Sequence, residues 1–289
     1  MTFSATVLAD SINDISDHRL TTFEVTFPRI ILAEVNTHRL LSRNSSSSRA
    51  VPTRRILEEI RDNPFVPETF GSYQPGMVSG SSLAGKNGDN ARRAWINASH
   101  DAIRNAIVMV YGDDSLYDSF MDGGELPAAE KGVSVHKELV NRIIEPYTWQ
   151  TAIISATQWE NFFRLRCAPD AQPQINTLAT LMRDAMESSS PTLIKEGQWH
   201  LPLVNSQEVT EHGEDSSLLI SAGRCARVSY LTQGLQRPVE KDLSLSAMLV
   251  SNGHMSPFEH QATPDNDADA NFRGWRQLRY TLERDDSRG

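Results

Sequence analysis

The sequence has little cysteine, no excess of positive charge and no long apolar run, and each deficit excludes a class of protein. The 289 residues include two cysteines, Cys167 and Cys225, which form no CxxC pair and no cysteine–histidine cluster. We therefore expect two reduced, buried thiols. No apolar stretch approaches the ~20 residues that a membrane span needs. The first residues also lack the basic-then-apolar pattern of a signal peptide, so we expect a cytoplasmic protein with no membrane partner.

The net charge of −9 at pH 7 opposes a general nucleic-acid-binding role, because such binding depends on excess Lys and Arg. A local basic pocket for one small anion is compatible with this charge. The hydrophobic share of 39% and the charged share of 22% are ordinary for a globular protein. No internal repeat is present, and we expect one domain over residues 1–289.

Hydrophobic periodicity predicts an α+β fold in which helices dominate. Strands are predicted at 3–9, 22–28, 147–155 and, after a turn, within 254–264. Helices are predicted at 29–41, 54–62, 89–111, 134–145, 157–167, 171–188, 217–229, 237–253 and 271–283. Segments rich in Ser, Gly, Pro or acidic residues predict loops at 42–52, 63–89 and 112–130, and residues 190–215 are predicted to be irregular.

Residues 38–49 combine three arginines with five serines at the end of a predicted helix. Guanidinium groups match phosphate oxygens in a bidentate manner, and serine hydroxyls add neutral donors. The segment therefore suits a nucleotide monophosphate. A polar surface loop or a phosphorylated Arg/Ser linker is the alternative interpretation.

Two further arginines are candidates for anion binding. Arg142 lies near a helix end before Pro146, where it could equally complement the helix dipole. Arg166 ends the apolar stretch that begins at Asn161, where it could bind an anion or pair with a nearby carboxylate. His254 and His260 are six residues apart without a third ligand, so we expect no metal site.

Together these segments resemble the flavin-dependent thymidylate synthase family. Its signature, Arg-His-Arg-x-x-Ser-x-Asn-Glu-x-Ser-x-Arg, is similar to residues 37–49, and its Asn-Phe-x-x-Leu-Arg segment with a following Ala-Gln is similar to 161–172. Arg142 before Pro146 resembles the family's Arg-x-x-x-Pro stretch. The sequences Ala-Arg-Val-Ser at 226–229 and Gly-His-x-Ser-Pro-Phe-Glu-His at 253–260 also have counterparts.

The order of these segments differs from ordinary members, in which the last two precede the arginine-rich motif. We infer a circular permutation that places residues 217–264 after the rest, and the set resembles phage-encoded members. Permutation is tolerated where termini lie close together on the surface. The fold that the resemblance implies is helix-rich α+β with a central antiparallel sheet.

The resemblance also implies the site residues and the assembly. The residues implied to contact FAD are His38, Arg39, Asn161, Leu165, Ser229, His254 and Ser256. The residues implied to contact the nucleotide are Glu34, Ser45, Ser46, Ser47, Ser48, Arg49, Arg142 and Arg166, of which Arg166 is also the implied catalytic residue. Family members are homotetramers whose active sites combine residues from several subunits, so a homotetramer is implied.

Four positions depart from the family pattern. Thr37 replaces the first arginine of the motif, Ser45 replaces its glutamate, Glu34 stands where a glutamine usually helps to hold the nucleotide, and Asp170 stands where a histidine often meets the flavin. A carboxylate at position 34 would repel a phosphate unless it is paired or faces the base. These departures leave FAD binding expected and bear on the identity of the nucleotide and the product.

The implied reaction is flavin-dependent synthesis of dTMP from dUMP, with methylenetetrahydrofolate as carbon donor and NADPH as reductant of the flavin. Neither cysteine lies in a motif that would present a thiolate to pyrimidine C6, so a hydride route fits better. One rival is an enzyme of the same fold that hydroxymethylates dUMP or dCMP for modified DNA. Another is a non-catalytic nucleotide- or RNA-binding protein that uses the Arg/Ser loop and the basic tail 273–284, although the net charge opposes a stable nucleic-acid partner.

Overall fold

The computed structural model describes residues 1–127, 134–232, 235–269 and 271–286. Its strands are β1 (Ser4–Asn13), β2 (Arg19–Pro28), β3 (Ser42–Ser45), β4 (Trp149–Ala156), β5 (Thr192–Ile194), β6 (Ala262–Asp269) and β7 (Arg273–Gln277). The first five form one sheet in the order β3-β4-β2-β1-β5, and β6 pairs with β7. All pairs are antiparallel except the β1–β5 pair, so the expected central antiparallel sheet is confirmed.

The helices in the described part of the chain are α1 (Leu32–Asn36), α2 (Thr53–Asp62), α3 (Gly85–Tyr111), α4 (Leu116–Met121), α5 (Lys137–Ile144), α6 (Glu160–Arg166), α7 (Pro173–Glu187), α8 (Ser206–His212), α9 (Glu214–Ala226), α10 (Val239–Ser251) and α11 (Leu278–Asp286). Short 3-10 turns occupy Arg29–Ile31, Glu145–Tyr147, Arg227–Tyr230 and Ser256–Glu259. None of these helices is both long and apolar enough to cross a membrane.

The alternation along β2 places one face of the central sheet against α7. Phe23, Val25 and Phe27 are fully buried in the same cluster as Leu178 and Met182 of that helix. The period of two in the strand and the spacing of four in the helix turn these apolar side chains toward one another. This packing forms the core behind the candidate site.

A second core lies among α2, α3, α4 and α5. Ile103, Ile107 and Val110 follow helical spacing along α3 and are buried against Leu57 and Val140. Helix α3 ends at Gly112, whose φ of 71° is a left-handed conformation that costs glycine little. This core holds α5 beside the start of β4.

Several local predictions were wrong, and long-range pairing explains the corrections. The predicted loop 42–52 begins with β3, whose residues Ser42–Ser45 pair with β4. The predicted helix 29–41 is shortened to a 3-10 turn and α1. The predicted terminal helix 271–283 begins as β7, because Arg273–Gln277 pair with β6.

The predicted irregular segments also contain regular structure. Residues 190–215 include β5 and α8. Residues 112–130 include α4, and 128–130 of that segment lie outside the described residues. The loop prediction for 63–89 agrees with the structure up to the start of α3. The single domain over 1–289 stays a prediction.

The C-terminal hairpin docks on the turn between β1 and β2. The Trp275 indole Nε1 donates to the His18 carbonyl at 2.9 Å, and the buried Asn13 amide donates to the Gly274 carbonyl at 2.7 Å. These bonds satisfy buried polar groups at both sides of the contact. The C-terminal segment is therefore part of the same packed unit as the sheet.

Candidate functional site

The serine loop, residues 45–49, leaves the end of β3 and is held by its backbone. The Ser46 amide donates to the Thr151 carbonyl at 2.8 Å. The buried Asn141 amide of α5 donates to the carbonyls of Ser48 at 2.5 Å and Val51 at 3.1 Å. Because these bonds use backbone atoms, the half-buried hydroxyls of Ser46 and Ser47 are placed by the strand and the helix, and Arg49 is exposed.

Arg142 lies on the same helix as Asn141 and is held by a shared carboxylate. Its Nη1 donates to Glu145 Oε1 at 2.9 Å, and Arg29 Nη2 lies 2.9 Å from the same oxygen. The Arg142 side chain is 51% exposed. Glu59 lines the same cavity as the serine loop, and burial raises the pKa of its carboxyl, which favours its neutral form. The two guanidinium groups around Glu145 therefore suit an anion.

The two serines expected to contact FAD, Ser229 and Ser256, lie beside β3. Ser256 Oγ donates to Asn44 Oδ1 at 3.2 Å, and Asn44 Nδ2 donates to the Cys225 carbonyl at 2.9 Å. The Ser47 amide donates to the Ser229 carbonyl at 3.1 Å. Strand β3 therefore brings Ser229 and Ser256 next to the serine loop, although they lie about 200 residues further along the chain. His254 is exposed and lies two residues before the 3-10 turn Ser256–Glu259.

Arg166 ends α6 and contacts the residues that follow α1. Its Nε donates to His38 Nε2 at 2.8 Å, and its Nη2 donates to Thr37 Oγ1 at 3.2 Å. The His38 ring meets Phe162 edge-on at 4.9 Å between centroids. Burial, together with the charges of Arg166 and Arg43, lowers the pKa of His38 to about 4. His38 is therefore neutral near pH 7 and can accept the hydrogen bond from Arg166.

The remaining predicted residues lie on α1, on α6 and just after α1. Leu165 is 42% exposed beside it on α6, and the exposed Asn161 accepts a hydrogen bond from Arg164 at 2.7 Å. Arg39 is exposed next to His38. Glu34 of α1 is half-buried, and its Oε2 is buried without a hydrogen-bond partner among the described residues.

The predicted residues thus fall into two groups. One surrounds Arg166 at the ends of α1 and α6, and the other surrounds the serine loop, α5 and the turn at Ser256–Glu259. Arg43 of β3 connects them, because its Nη1 donates to the His38 carbonyl at 2.8 Å. In the described ranges, no hydrogen bond or ion pair joins Arg166 directly to the serine loop or Arg142.

Three residues outside the predicted site set organise these groups. Arg29 shares Glu145 with Arg142, Arg43 holds the backbone of His38, and Thr37 accepts from Arg166. Arg43 and Thr37 lie inside the arginine-rich motif, which was the available sequence signal for both. Burial lowers the pKa of Arg43. Arg29 has no local pattern that indicates its partner.

The site carries no sign of a metal centre or a reactive thiol. Among the residues that the structure describes, no group of three His, Cys, Asp or Glu side chains is arranged to hold a metal ion. Cys225 is fully buried, and this burial raises its pKa to about 12. A thiolate at Cys225 is therefore disfavoured. Cys167, which directly follows Arg166, is half-buried, so the expectation of two buried thiols was wrong for Cys167.

Comparison with known proteins supplies the family. The fold and site define an α+β protein whose central sheet presents an arginine- and serine-rich strand beside a helix-borne arginine. The sequence profile of the thymidylate synthase complementing protein family matches residues 3–192. The chain belongs to this family, as the resemblance predicted. No curated protein sequence matches the chain.

Solved structures show weaker similarity. Flavin-dependent thymidylate synthase ThyX from Helicobacter pylori, complexed with FAD and dUMP, is 18% identical over 58% of this chain and 68% of that chain, with a TM-score of 0.34. The UMP/dUMP methylase PolB from Streptomyces cacaoi, bound with 5-Br UMP, is 14% identical over 64% of this chain and 88% of that chain, with a TM-score of 0.41. The family assignment rests on the sequence profile.

Proposed function

We propose that this chain transfers a one-carbon unit from methylenetetrahydrofolate to C5 of dUMP and, with FAD and NADPH, gives dTMP. Arg166 carries the proposal. It is fixed beside neutral His38 at the end of α6, within the span 3–192 that matches the family. A positioned guanidinium beside a pyrimidine ring stabilises the negative charge that develops on the ring during attack by C5.

The serine loop and Arg142 supply the groups for the nucleotide phosphate. Serine hydroxyls and the exposed fork of Arg49 offer several donors, and bidentate guanidinium contacts favour a phosphate over a neutral ligand. Asn141 fixes the loop through Ser48, so the donors are arranged before the ligand arrives. Groups that are already in place reduce the loss of entropy that accompanies binding.

The residues expected to hold FAD fit it by their chemistry. The hydroxyls of Ser229 and Ser256, with the exposed His254 and Arg39, offer hydrogen bonds and charge to phosphate oxygens. The exposed Leu165 offers an apolar surface to a ring. When bound, the flavin would supply the reducing equivalents, and the protein would supply position and charge.

The separation of the two groups within one chain supports a site shared between subunits. Arg166 and the serine loop are not joined directly, yet the proposed reaction needs charge at both the ring and the phosphate. A homotetramer in which different subunits supply these groups would complete the site. Such an assembly is part of the proposal.

A second candidate is hydroxymethylation of dUMP or dCMP, and Glu34 favours it. Its Oε2 is covered by the protein and has no hydrogen-bond partner among the described residues, so a rotation of this half-buried side chain toward the nucleotide would let the cytosine amino group donate to it. The two reactions share loss of the C5 proton and arrival of the carbon. They differ at the end, since a hydride completes a methyl group and water completes a hydroxymethyl group.

Mass analysis of the nucleotide product tests the proposal. The purified protein would be incubated with FAD, NADPH, methylenetetrahydrofolate and either dUMP or dCMP. A methylated dUMP is the expected product, and Arg166→Ala should reduce its rate by about 100-fold or more. Arg104→Ala is the matched control, because Arg104 is a partly exposed arginine of α3 paired with Asp114. Full turnover by Arg166→Ala would refute the role of Arg166.

Glu34→Gln separates the two candidate products. If Glu34 faces a cytosine amino group, the variant should react more slowly with dCMP, because an amide oxygen is a weaker acceptor than a carboxylate. It should keep or gain reaction with dUMP, because an amide can also donate to a uracil carbonyl. If the wild-type protein methylates dUMP alone, the second candidate is rejected. A colourless protein that binds nucleotide without any product would instead indicate a non-catalytic binding role.

A further inference from the structure

The guanidinium group of Arg166 is held along one edge only. A guanidinium has a side edge, formed by Nε and Nη2, and an end edge, formed by Nη1 and Nη2. Nε donates to His38 Nε2 at 2.8 Å and Nη2 donates to Thr37 Oγ1 at 3.2 Å, so both bonds use the side edge. In the part of the chain that the structure describes, Nη1 makes no hydrogen bond.

Both acceptors are themselves oriented by other groups. The Thr37 hydroxyl donates its own hydrogen to the Glu34 carbonyl at 2.6 Å, which turns its lone pairs toward Arg166. The His38 ring is fixed edge-on against Phe162 with an interplanar angle of 86°. Arg43 also donates to the His38 carbonyl at 2.8 Å. The pair therefore offers two directed acceptors to one guanidinium edge.

We propose that Thr37 and His38 are positioning residues that clamp the side edge of Arg166 and present its end edge to the pyrimidine ring of the nucleotide. The use of the end edge by a pyrimidine rests on the proposed function, whereas the clamp itself does not. Thr37 stands where the family motif has an arginine, and an arginine has no acceptor for Arg166. The clamp is thus available to this chain because of that departure.

The clamp assigns His38 a role different from the flavin contact that the family resemblance implies. Its Nε2 accepts from Arg166, so that atom is not available as a donor or acceptor to a cofactor at the same time. A planar group fixed at two points loses its rotation about the final side-chain torsion. Misplacement of such a group by about 1 Å can reduce a rate by ~100-fold, so the clamp is expected to act on turnover.

Nuclear magnetic resonance of the ¹⁵N-labelled protein tests the clamp without any turnover. The Arg166 Nε–H should give a resonance protected from solvent exchange, assigned by its loss in Arg166→Lys. His38→Phe keeps the ring against Phe162 but removes the acceptor, and it should abolish the protection. Thr37→Val should weaken the protection and Thr37→Ser should restore it. Protection unchanged in both His38→Phe and Thr37→Val would overturn the clamp.

A double-mutant cycle tests whether Thr37 acts through Arg166. Thr37→Val should lower kcat/KM for dUMP by about tenfold, and Thr37→Ser should recover most of it. In the Arg166→Ala background, Thr37→Val should have no further effect. The exposed Thr177, whose hydroxyl donates to the Pro173 carbonyl at 3.0 Å, gives the control variant Thr177→Val, with no expected change.

Affinity for FAD, measured by quenching of flavin fluorescence, distinguishes positioning from cofactor contact. Thr37→Val and His38→Phe should leave this affinity within about twofold of wild type, since the clamp acts on Arg166. Loss of FAD from His38→Phe while the Arg166 resonance stays protected would overturn the role given to His38. If the wild-type protein does not react with dUMP, the proposed function fails, and the resonance experiment still decides the clamp.

Discussion

Acidification from pH 7 to pH 5 is expected to destabilise this protein strongly, because two histidines are buried without charge. A hydrogen-bonded chain runs from Ser11 through His200, Thr22 and Ser155 to His260, with successive distances of 2.8, 2.8, 2.6 and 2.8 Å. The exposures of these five side chains are between 0% and 4%. This row of hydrogen bonds connects β1, β2 and β4 to His200, between β5 and α8, and to His260, just before β6.

The magnitude follows from the pKa values of the two histidines. Burial lowers the pKa of His200 and of His260 from 6.5 to about 3 each. The folded state therefore excludes protons that the unfolded chain binds below its own pKa. The stabilisation is fully present above pH 6.5 and is lost as the pH falls toward about 3. At pH 5 the loss is about 2 kcal/mol for each of these two histidines, or about 4 kcal/mol together. His38, whose pKa is also lowered, adds a smaller loss of the same sign because it is partly exposed.

Urea unfolding followed by tryptophan fluorescence measures this loss at a fixed protein concentration. The free energy of unfolding of the wild-type protein at pH 5 should be lower than at pH 7 by about 4 kcal/mol or more. His200→Gln should reduce this pH dependence by about 2 kcal/mol, whatever its stability at pH 7. The control His254→Gln replaces an exposed histidine and should keep the wild-type dependence.

The reasoning would be refuted by a wild-type protein that loses less than about 1 kcal/mol between pH 7 and pH 5. It would equally be refuted if His200→Gln kept the full pH dependence. Either result would mean that these imidazoles are protonated in the folded state or are reached by solvent. In that case water would reach the hydrogen-bonded row of side chains from Ser11 to His260.

Two further predictions concern buried polar groups near the site and in the C-terminal helices. Asn141→Ala removes the donors to the carbonyls of Ser48 in the serine loop and of Val51 after it, so urea unfolding should show a loss of about 1–3 kcal/mol and the KM for dUMP should rise. An unchanged KM would separate the loop from nucleotide binding. Asp242→Ala removes the carboxylate within 3.4 Å of the buried Arg227 and 3.5 Å of Arg224, so the loss should be about 3–5 kcal/mol. A loss below about 1 kcal/mol would show that water reaches Arg227.

The candidate site residues could be proposed from the sequence, whereas the contacts between them could not. Through the family resemblance, the motif at 37–49 and the segment 161–172 indicated Arg166, His38 and the serine loop as one candidate set, and their roles stay a prediction. The sequence did not indicate that Arg166 donates to His38, which is 128 residues away. A contact between distant segments leaves no periodic or local signal.

The sequence by itself determined the amphipathic elements. In β2 and α7 the apolar residues recur with the period of a strand and of a helix, so the order of residues alone shows which face is buried. Only the tertiary structure decided that β3 and β7 are strands. Serine and asparagine favour a loop in isolation, but Ser42–Ser45 gain a partner strand and buried hydrogen bonds when β4 lies beside them. Pairing energy that comes from a distant strand outweighs the local preference, and that partner is known only once the chain is folded.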